Sequence, residues 1–238
     1  MKVLAIDTSS IVATCAILDD DKLIGEYILN HKRTHSEKIM PIIKELLESC
    51  ELEVKDIDCF AASIGPGSFT GLRIGVSTIK ALAHATEKKV LSVPTIDALA
   101  YNIAFHNGLI VPMMDARRDR VYTGIYRWAN GDLKIIRDQD VLEVDKLIDI
   151  LSEYNECIVF NGDGTKVYKE KIEKRLKNIK FAPRSVNITR ASSVAELAME
   201  KLKNGEEESY FKLIPEYMKK SQAERQLEKK MESEKSNG

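Results

Sequence analysis

The sequence predicts an α/β protein of two lobes, each a mixed β-sheet flanked by helices. Three observations carry that expectation. An apolar strand ending in an aspartate and followed by two more short strands occurs twice, from Val3 to Asp7 and again from Leu109 to Asp115. Each triplet runs on into alternating helical and strand segments. Glycine turns, Gly65-Pro66-Gly67 and Gly162-Asp163-Gly164, stand between a buried strand and a helix start in both halves.

In the first half, Val3 to Ile6 is an apolar run ending at Asp7, Val12 to Leu18 is β-branched and apolar, and Leu23 to Leu29 returns after an aspartate-rich turn. Turns this short favour antiparallel neighbours. Thr34-His35-Ser36-Glu37 fits a capping box that starts a helix. Its apolar residues Ile39, Met40, Ile42, Ile43, Leu46, Leu47 and Cys50 spread over an arc of about 160°, wider than the ~100° that packing on one core requires. Pro41 lies inside this pattern and should kink it. A strand over 57–64, the glycine turn, and a helix over 70–86 follow. That helix carries small residues at Gly71, Gly75, Thr78, Ala81 and Ala85 along one face. An interior glycine costs a helix roughly 0.5–1 kcal/mol against alanine, so the pair implies close approach by the backbone of another helix. A strand over 90–93 and a helix over 95–107 complete the unit.

The second half begins again: Leu109 to Asp115, a strand from Val121 to Arg127, the turn Ala129-Asn130-Gly131-Asp132, and a return over 133–137. A helix over 144–154, a strand over 157–161 and helices near 165–176 and 192–203 follow. We therefore expect one lobe over 1–107, a second, degenerate lobe over 108–220, and a polar tail over 221–238. Two lobes of this plan, with an aspartate ending the first strand of each, are the actin-like (ribonuclease H-like) architecture.

Composition excludes several classes. Thirty-six Lys and Arg stand against 37 Asp and Glu, a net charge of −1. A protein that holds nucleic acid unaided usually carries a basic excess, although folding can gather scattered lysines on one face. Four widely spaced cysteines, Cys15, Cys50, Cys59 and Cys157, with no CxxC pair, read as buried thiols of a reducing compartment. The N-terminus lacks a signal-like apolar run, and no segment reaches the ~18–20 apolar residues of a membrane span. A cytoplasmic protein without membrane contact is expected.

Gly65 to Gly75 lies between a strand and a helix N-terminus, where free N–H groups could cradle a phosphate. It lacks the Lys-Ser/Thr of a P-loop, and a tight strand-to-helix turn is the favoured reading. Ser68 reads as an N-cap rather than a nucleophile, and no histidine adjoins Ser68 or Thr70 to act as base. Asp7 and Asp115 could share a divalent cation across a cleft, but a carboxylate at a strand end more often satisfies donors of the turn that follows. His31 and His35 have metal-pair spacing without a third ligand. Neither cofactor nor metal is expected.

Ala5-Ile6-Asp7-Thr8-Ser9, Thr34-His35-Ser36-Glu37, the Gly65–Gly75 block, Val93-Pro94-Thr95, Met114-Asp115-Ala116-Arg117-Arg118, Gly162-Asp163-Gly164 and Pro215-Glu216-Tyr217 together resemble the TsaB (YeaZ) family, over roughly residues 1–225. The resemblance implies an actin-like fold and a part in making N6-threonylcarbamoyladenosine (t6A) at position 37 of tRNAs reading ANN codons. It implies pairing with a catalytic homologue, TsaD, cooperation with the ATPase TsaE, a homodimer when alone, and only indirect contact with tRNA. The catalytic homologue carries two metal-binding histidines four residues apart; the matching positions here are Thr95 and Leu99, which cannot serve. That homologue also continues beyond the point where this chain ends, and actin-like ATPases place a glycine where Ser9 stands. A non-catalytic subunit is expected. Its partner interface is expected on the two helices, at His35, Ile39, Ile42, Ile43, Leu46, Thr70, Gly71, Ile74, Gly75 and Thr78. A degenerate nucleotide cleft is expected at Asp7, Ser9, Gly65, Gly67, Ser68, Asp115 and Arg117. The rival readings are an ATP-dependent actin-like phosphotransferase and a glycoprotease-like hydrolase.

Overall fold

The computed structural model describes residues 1–30 and 35–218, the side chains of 35–37 excepted. The capping box at Thr34, His31, the side chain of His35 and the polar tail lie outside the described residues.

Two five-stranded sheets share one topology. The first comprises β1 (Val3–Asp7), β2 (Val12–Leu18), β3 (Leu23–Asn30), β4 (Cys59–Gly65) and β5 (Lys89–Pro94), in the order β3-β2-β1-β4-β5. The second comprises β6 (Leu109–Asp115), β7 (Arg120–Ala129), β8 (Asp132–Glu143), β9 (Ile158–Asn161) and β10 (Ile179–Phe181), in the order β10-β9-β6-β7-β8. In each, the first strand pairs antiparallel with the second and parallel with the fourth. Helices α1 (His35–Ser49), α2 (Phe69–Thr86) and α3 (Thr95–Tyr101) belong to the first half, and α4 (Val144–Ser152), α5 (Gly164–Arg175) and α6 (Ala191–Lys203) to the second. The expected repeat is thus a duplicated βββαβαβα unit.

Strand alternation sends Leu4 and Ile6 to one face and Val3 and Ala5 to the other. Leu4, Ile6, Cys15, Ile17 and Phe60 pack under α1 and α2. Val3, Ala5, Cys59, Ala61, Leu91 and Val93 meet Val194, Ala195, Ala198 and Met199 of α6, a helix from the other half of the chain. Helix α3 returns the exchange: Ile96, Leu99 and Ala100 pack on Ile110, Met114, Tyr126 and Val159 of the second sheet. The two halves therefore share a core, each lending its third helix to the other's sheet.

Three elements differ from the sequence reading. Helix α3 stops at Tyr101, six residues early, because Asn102 turns its amide to the Val186 and Ile188 carbonyls and Phe105 takes φ +53°. Strand β8 runs six residues further than expected; it is a sheet edge exposed on both faces, so its polar residues show no alternation. Strand β10 gave no signal, being three residues long.

At the seam between the halves, the Tyr126 hydroxyl donates to Asp97 Oδ1 (2.7 Å). Burial holds the Asp97 carboxyl above its ordinary range, against the opposing pull of this hydrogen bond. An acid with a raised folded pKa favours the fold below its unfolded pKa and loses that contribution as pH climbs through the folded value. Asp97→Asn keeps an acceptor for Tyr126. It is expected to raise the melting temperature at about pH 7, and thermal melts near pH 4 should show little difference from wild type.

Candidate functional site

Asp7 ends β1 fully buried. Its Oδ1 accepts from the Ser9 N–H (3.0 Å) and the Ser9 hydroxyl (2.8 Å), and its Oδ2 from the Ser63 hydroxyl on β4. Three donors of the chain itself therefore surround the carboxylate, and solvent reaches none of it. The turn that follows β4 is folded down on the same loop. Ser68 N–H, which could have faced a phosphate, donates to the Ser9 carbonyl (2.6 Å). Ser68 Oγ accepts from Gly71 N–H (3.3 Å), the expected N-cap. Thr8 Oγ1 donates to the Gly71 carbonyl (2.7 Å).

The glycines explain how the loops come so close. A Cβ at Gly67 would collide with the Ser9 carbonyl, one at Gly71 with the Thr8 carbonyl, and one at Gly75 with Thr8 Oγ1. The close approach that the Gly71–Gly75 spacing demanded is thus met by Thr8 of the same chain. Gly65, at φ +133°, makes room for the Glu216 carbonyl, and Glu216 N–H donates to the Ile64 carbonyl (2.7 Å). Tyr217 stacks on Phe69 at 4.2 Å, and Arg73 Nε donates to its hydroxyl (3.0 Å). The segment after α6 therefore straps across the start of α2.

The second sheet repeats the motif more openly. Asp115 Oδ1 accepts from the Arg117 N–H (2.9 Å), the counterpart of Asp7 with Ser9, and from the Tyr168 hydroxyl (3.2 Å). Asp115 N–H donates to Asp163 Oδ1 (3.0 Å), and Gly162 is pressed against the Met113 carbonyl. Arg117, Arg118 and Asp119 all take φ between +53° and +61°, a run that non-glycine residues adopt at a cost of roughly 1 kcal/mol each.

The structure thus brings Asp7, Ser9, Gly67 and Ser68 into one hydrogen-bonded knot, with Gly65 beside it, and sets Asp115 and Arg117 at the matching position of the second sheet. Thr95 and Leu99 are buried on α3, with Leu99 in the apolar seam beside Gly162. Among the described residues, no three His, Cys, Asp or Glu side chains gather as a metal site, and no helix is long and apolar enough to cross a membrane.

The expected interface needs correction. Ile39, Ile42, Ile43 and Leu46 are all buried against the chain's own first sheet. Each such burial contributes roughly 1.5–3 kcal/mol, so the sheet claims the centre of the wide arc and leaves Met40, at its margin, exposed. Gly71 and Gly75 are likewise taken, by Thr8. What α2 does present is Thr70, Arg73, Ser77, Ala81 and Ala85, with Ile74 and Thr78 half-buried beside them; α1 adds Met40. Thr8, Glu216 and Tyr217 were missed as site-forming residues. Thr8 had a signal, since two glycines four apart on one helix face require something to touch.

Two mixed sheets of this topology, exchanging helices, with an aspartate and a glycine turn at each centre, define an actin-like two-lobed protein. Comparison with known proteins agrees. The family model of TsaD, tRNA N6-adenosine threonylcarbamoyltransferase, matches residues 22–227. The tRNA threonylcarbamoyladenosine biosynthesis protein TsaB of Bacillus subtilis is 37% identical over 94% of this chain and 96% of its own length. The Escherichia coli protein of the same description is 32% identical over 53% of this chain and 55% of its own length. The solved structure of YeaZ from Pseudomonas aeruginosa superposes with a TM-score of 0.78 at 24% identity, covering 91% of this chain and 99% of that one. Component A of the Acidaminococcus fermentans (R)-2-hydroxyglutaryl-CoA dehydratase shares the fold at a TM-score of 0.52 and 12% identity, covering 85% of this chain and 99% of that one. The chain belongs to the TsaB family.

Proposed function

We propose that this chain is the non-catalytic subunit of t6A formation at position 37 of tRNAs reading ANN codons, and that it acts by binding and organising a TsaD-like transferase together with a TsaE-like ATPase. The observation that carries the reading is the closed knot at Asp7. An ATP-using member of this fold needs the first-strand carboxylate and the glycine-turn N–H groups to face a nucleotide. Here Ser9 and Ser63 saturate the carboxylate, and the Ser9 carbonyl takes the Ser68 donor. The glycines serve contact within the chain, which favours a scaffold over a phosphotransferase. The B. subtilis relative's name supplies the pathway.

Docking is assigned to the outward stripe of α2, where small side chains permit close approach of a second helix. The same stripe would serve a homodimer in the absence of the partner. In a reconstituted modification assay with the TsaD-like and TsaE-like proteins of the same organism, omission of this chain should abolish t6A; equal modification without it overturns the reading. Ala81→Arg places a long cation in the exposed stripe. It should weaken pairing at least tenfold, about 1.4 kcal/mol, with an unchanged melting curve. Light scattering that shows wild-type pairing excludes this face.

A further inference from the structure

We infer that the α5–β10 edge of the second sheet contacts the phosphate backbone of RNA, giving this chain a direct hold on tRNA. The choice of tRNA as the polyanion rests on the pathway proposed above; the surface itself rests on charge. Residues 164–190 hold nine Lys and Arg against two Asp and Glu, which leaves 27 against 35 in the rest of the chain. A nearly neutral protein therefore carries a local excess of seven positive charges in this stretch, nine less two.

Accounting for ion pairs sharpens the point. Lys171 and Arg175 are held by Asp145 and Asp149 of α4, Lys169 by Glu173, and Arg190 by Glu26. Lys166 and Lys174 on α5, Lys177 in the loop, Lys180 on β10 and Arg184 just beyond it are exposed, with no acidic partner among the described residues. They lie about one margin of the second sheet: β10 is its edge strand, Lys169 of α5 lies over the ring of Phe181 at 5.4 Å, and alternation turns Lys180 to the other face of the same edge. Helix α5 alone is about 18 Å long, enough to track several phosphates. Its N-terminal end is tied to the end of β6 through Tyr168 and Asp115, and there the β6–β7 loop adds the exposed Arg117 and Arg118.

The chemistry favours RNA over a protein partner. A protein interface is centred on aromatic and aliphatic anchors. Here Phe181 is half-buried beneath Lys169, and Val167 is the one large apolar side chain exposed on α5. Cations without stacking platforms read backbone rather than bases, so binding should be insensitive to sequence and sensitive to salt.

The test uses the full chain with an unmodified tRNA transcript, followed by fluorescence anisotropy across a KCl series. Lys174→Glu/Lys177→Glu/Lys180→Glu should weaken binding at least tenfold at low salt. It should also flatten the log–log salt dependence by about 2, each phosphate contact contributing roughly 0.7–0.9. Lys44→Glu/Lys55→Glu/Lys134→Glu changes net charge equally on other surfaces and should leave both quantities near wild type. Matching melting curves for the two variants exclude misfolding. The inference is overturned if the wild-type chain shows no tRNA binding at low salt, if both variants lose binding alike, or if polyglutamate of equal charge displaces tRNA as well as free RNA does. Pairing with the TsaD-like protein is measured on the same variants. An altered salt slope alongside a dispensable chain in the modification assay would sink the scaffold reading and leave the RNA surface standing.

Discussion

Gly71→Ala is expected to destabilise the protein by about 3 kcal/mol or more, at the severe end of what overpacking costs. The new Cβ would strike the carbonyl oxygen of Thr8, a backbone atom that cannot rotate away. Thr8 is fixed because Ile6 and Asp7 before it are fully buried in the first sheet and its own hydroxyl is bonded to the Gly71 carbonyl. Helix α2 cannot retreat, because Leu72, Val76, Ile79 and Ala83 are seated in the core on the same side. Something must therefore unpack. The sign of the result is informative, since Gly→Ala at an unobstructed helix position gains about 1 kcal/mol from propensity alone. Urea denaturation should show a lowered midpoint, or no cooperative transition at all. A midpoint equal to or above wild type would mean that the glycine turn and the end of β1 are not in contact, and the closed knot at Asp7 would go with it. Ala85→Gly, on the exposed stripe of the same helix, serves as the reference and should cost only about 1 kcal/mol.

Most of the fold was legible because local signals agreed with the global plan. The strand-ending aspartates, the polar turn at Asn130-Gly131 and the Ser68 cap each have a chemistry that acts within a few residues. The duplicated topology followed from order alone. What failed to show was whatever depends on contacts across the chain. The arc from Ile39 to Cys50 looked too wide for one core, yet the first sheet buries Ile39, Ile42, Ile43, Leu46 and Leu47 and leaves Met40, at the margin of the arc, exposed. Gly71 and Gly75 announced a close neighbour without naming it; periodicity places residues on a face and is silent about what the face meets. The strap at Glu216 and Tyr217 could not be found that way, because two residues far along the chain carry no period that points back to Ile64 and Phe69. Net charge is a coarse signal of another kind: the sum of −1 over the sequence does not display the excess of Lys and Arg over residues 164–190.

Glu26→Ala should destabilise the protein by about 2–4 kcal/mol, a large effect for a polar side chain. Glu26 lies on β3 with its side chain 6% exposed, and every oxygen is engaged. Oε2 accepts from Arg190 Nε (3.1 Å) and Nη2, and Oε1 from the Ser192 N–H (3.0 Å) and hydroxyl (2.8 Å). These partners open α6, whose own N-cap residue supplies no side-chain cap. A carboxylate from the first sheet therefore caps a helix of the second half, where the helix dipole favours negative charge. Removing it leaves a guanidinium and an N–H without acceptors at the point where α6 meets the first sheet. Arg190→Ala should cost less, because Arg190 is 30% exposed and Ser192 still holds Glu26. The ordering of the two variants in denaturant midpoints separates a helix-capping role from a simple ion pair, which would make them equal. A second readout follows from what α6 covers. Cys59 lies beneath it, 1% exposed, its thiol pushed up to about 12 chiefly by burial. If Glu26 holds α6 in place, Glu26→Ala should speed alkylation of Cys59, followed by mass spectrometry under native conditions, several-fold more than Arg190→Ala does. Cys59 as slow to react in Glu26→Ala as in wild type would show that the apolar contacts of Val194, Ala195, Ala198 and Met199 hold the helix without the cap.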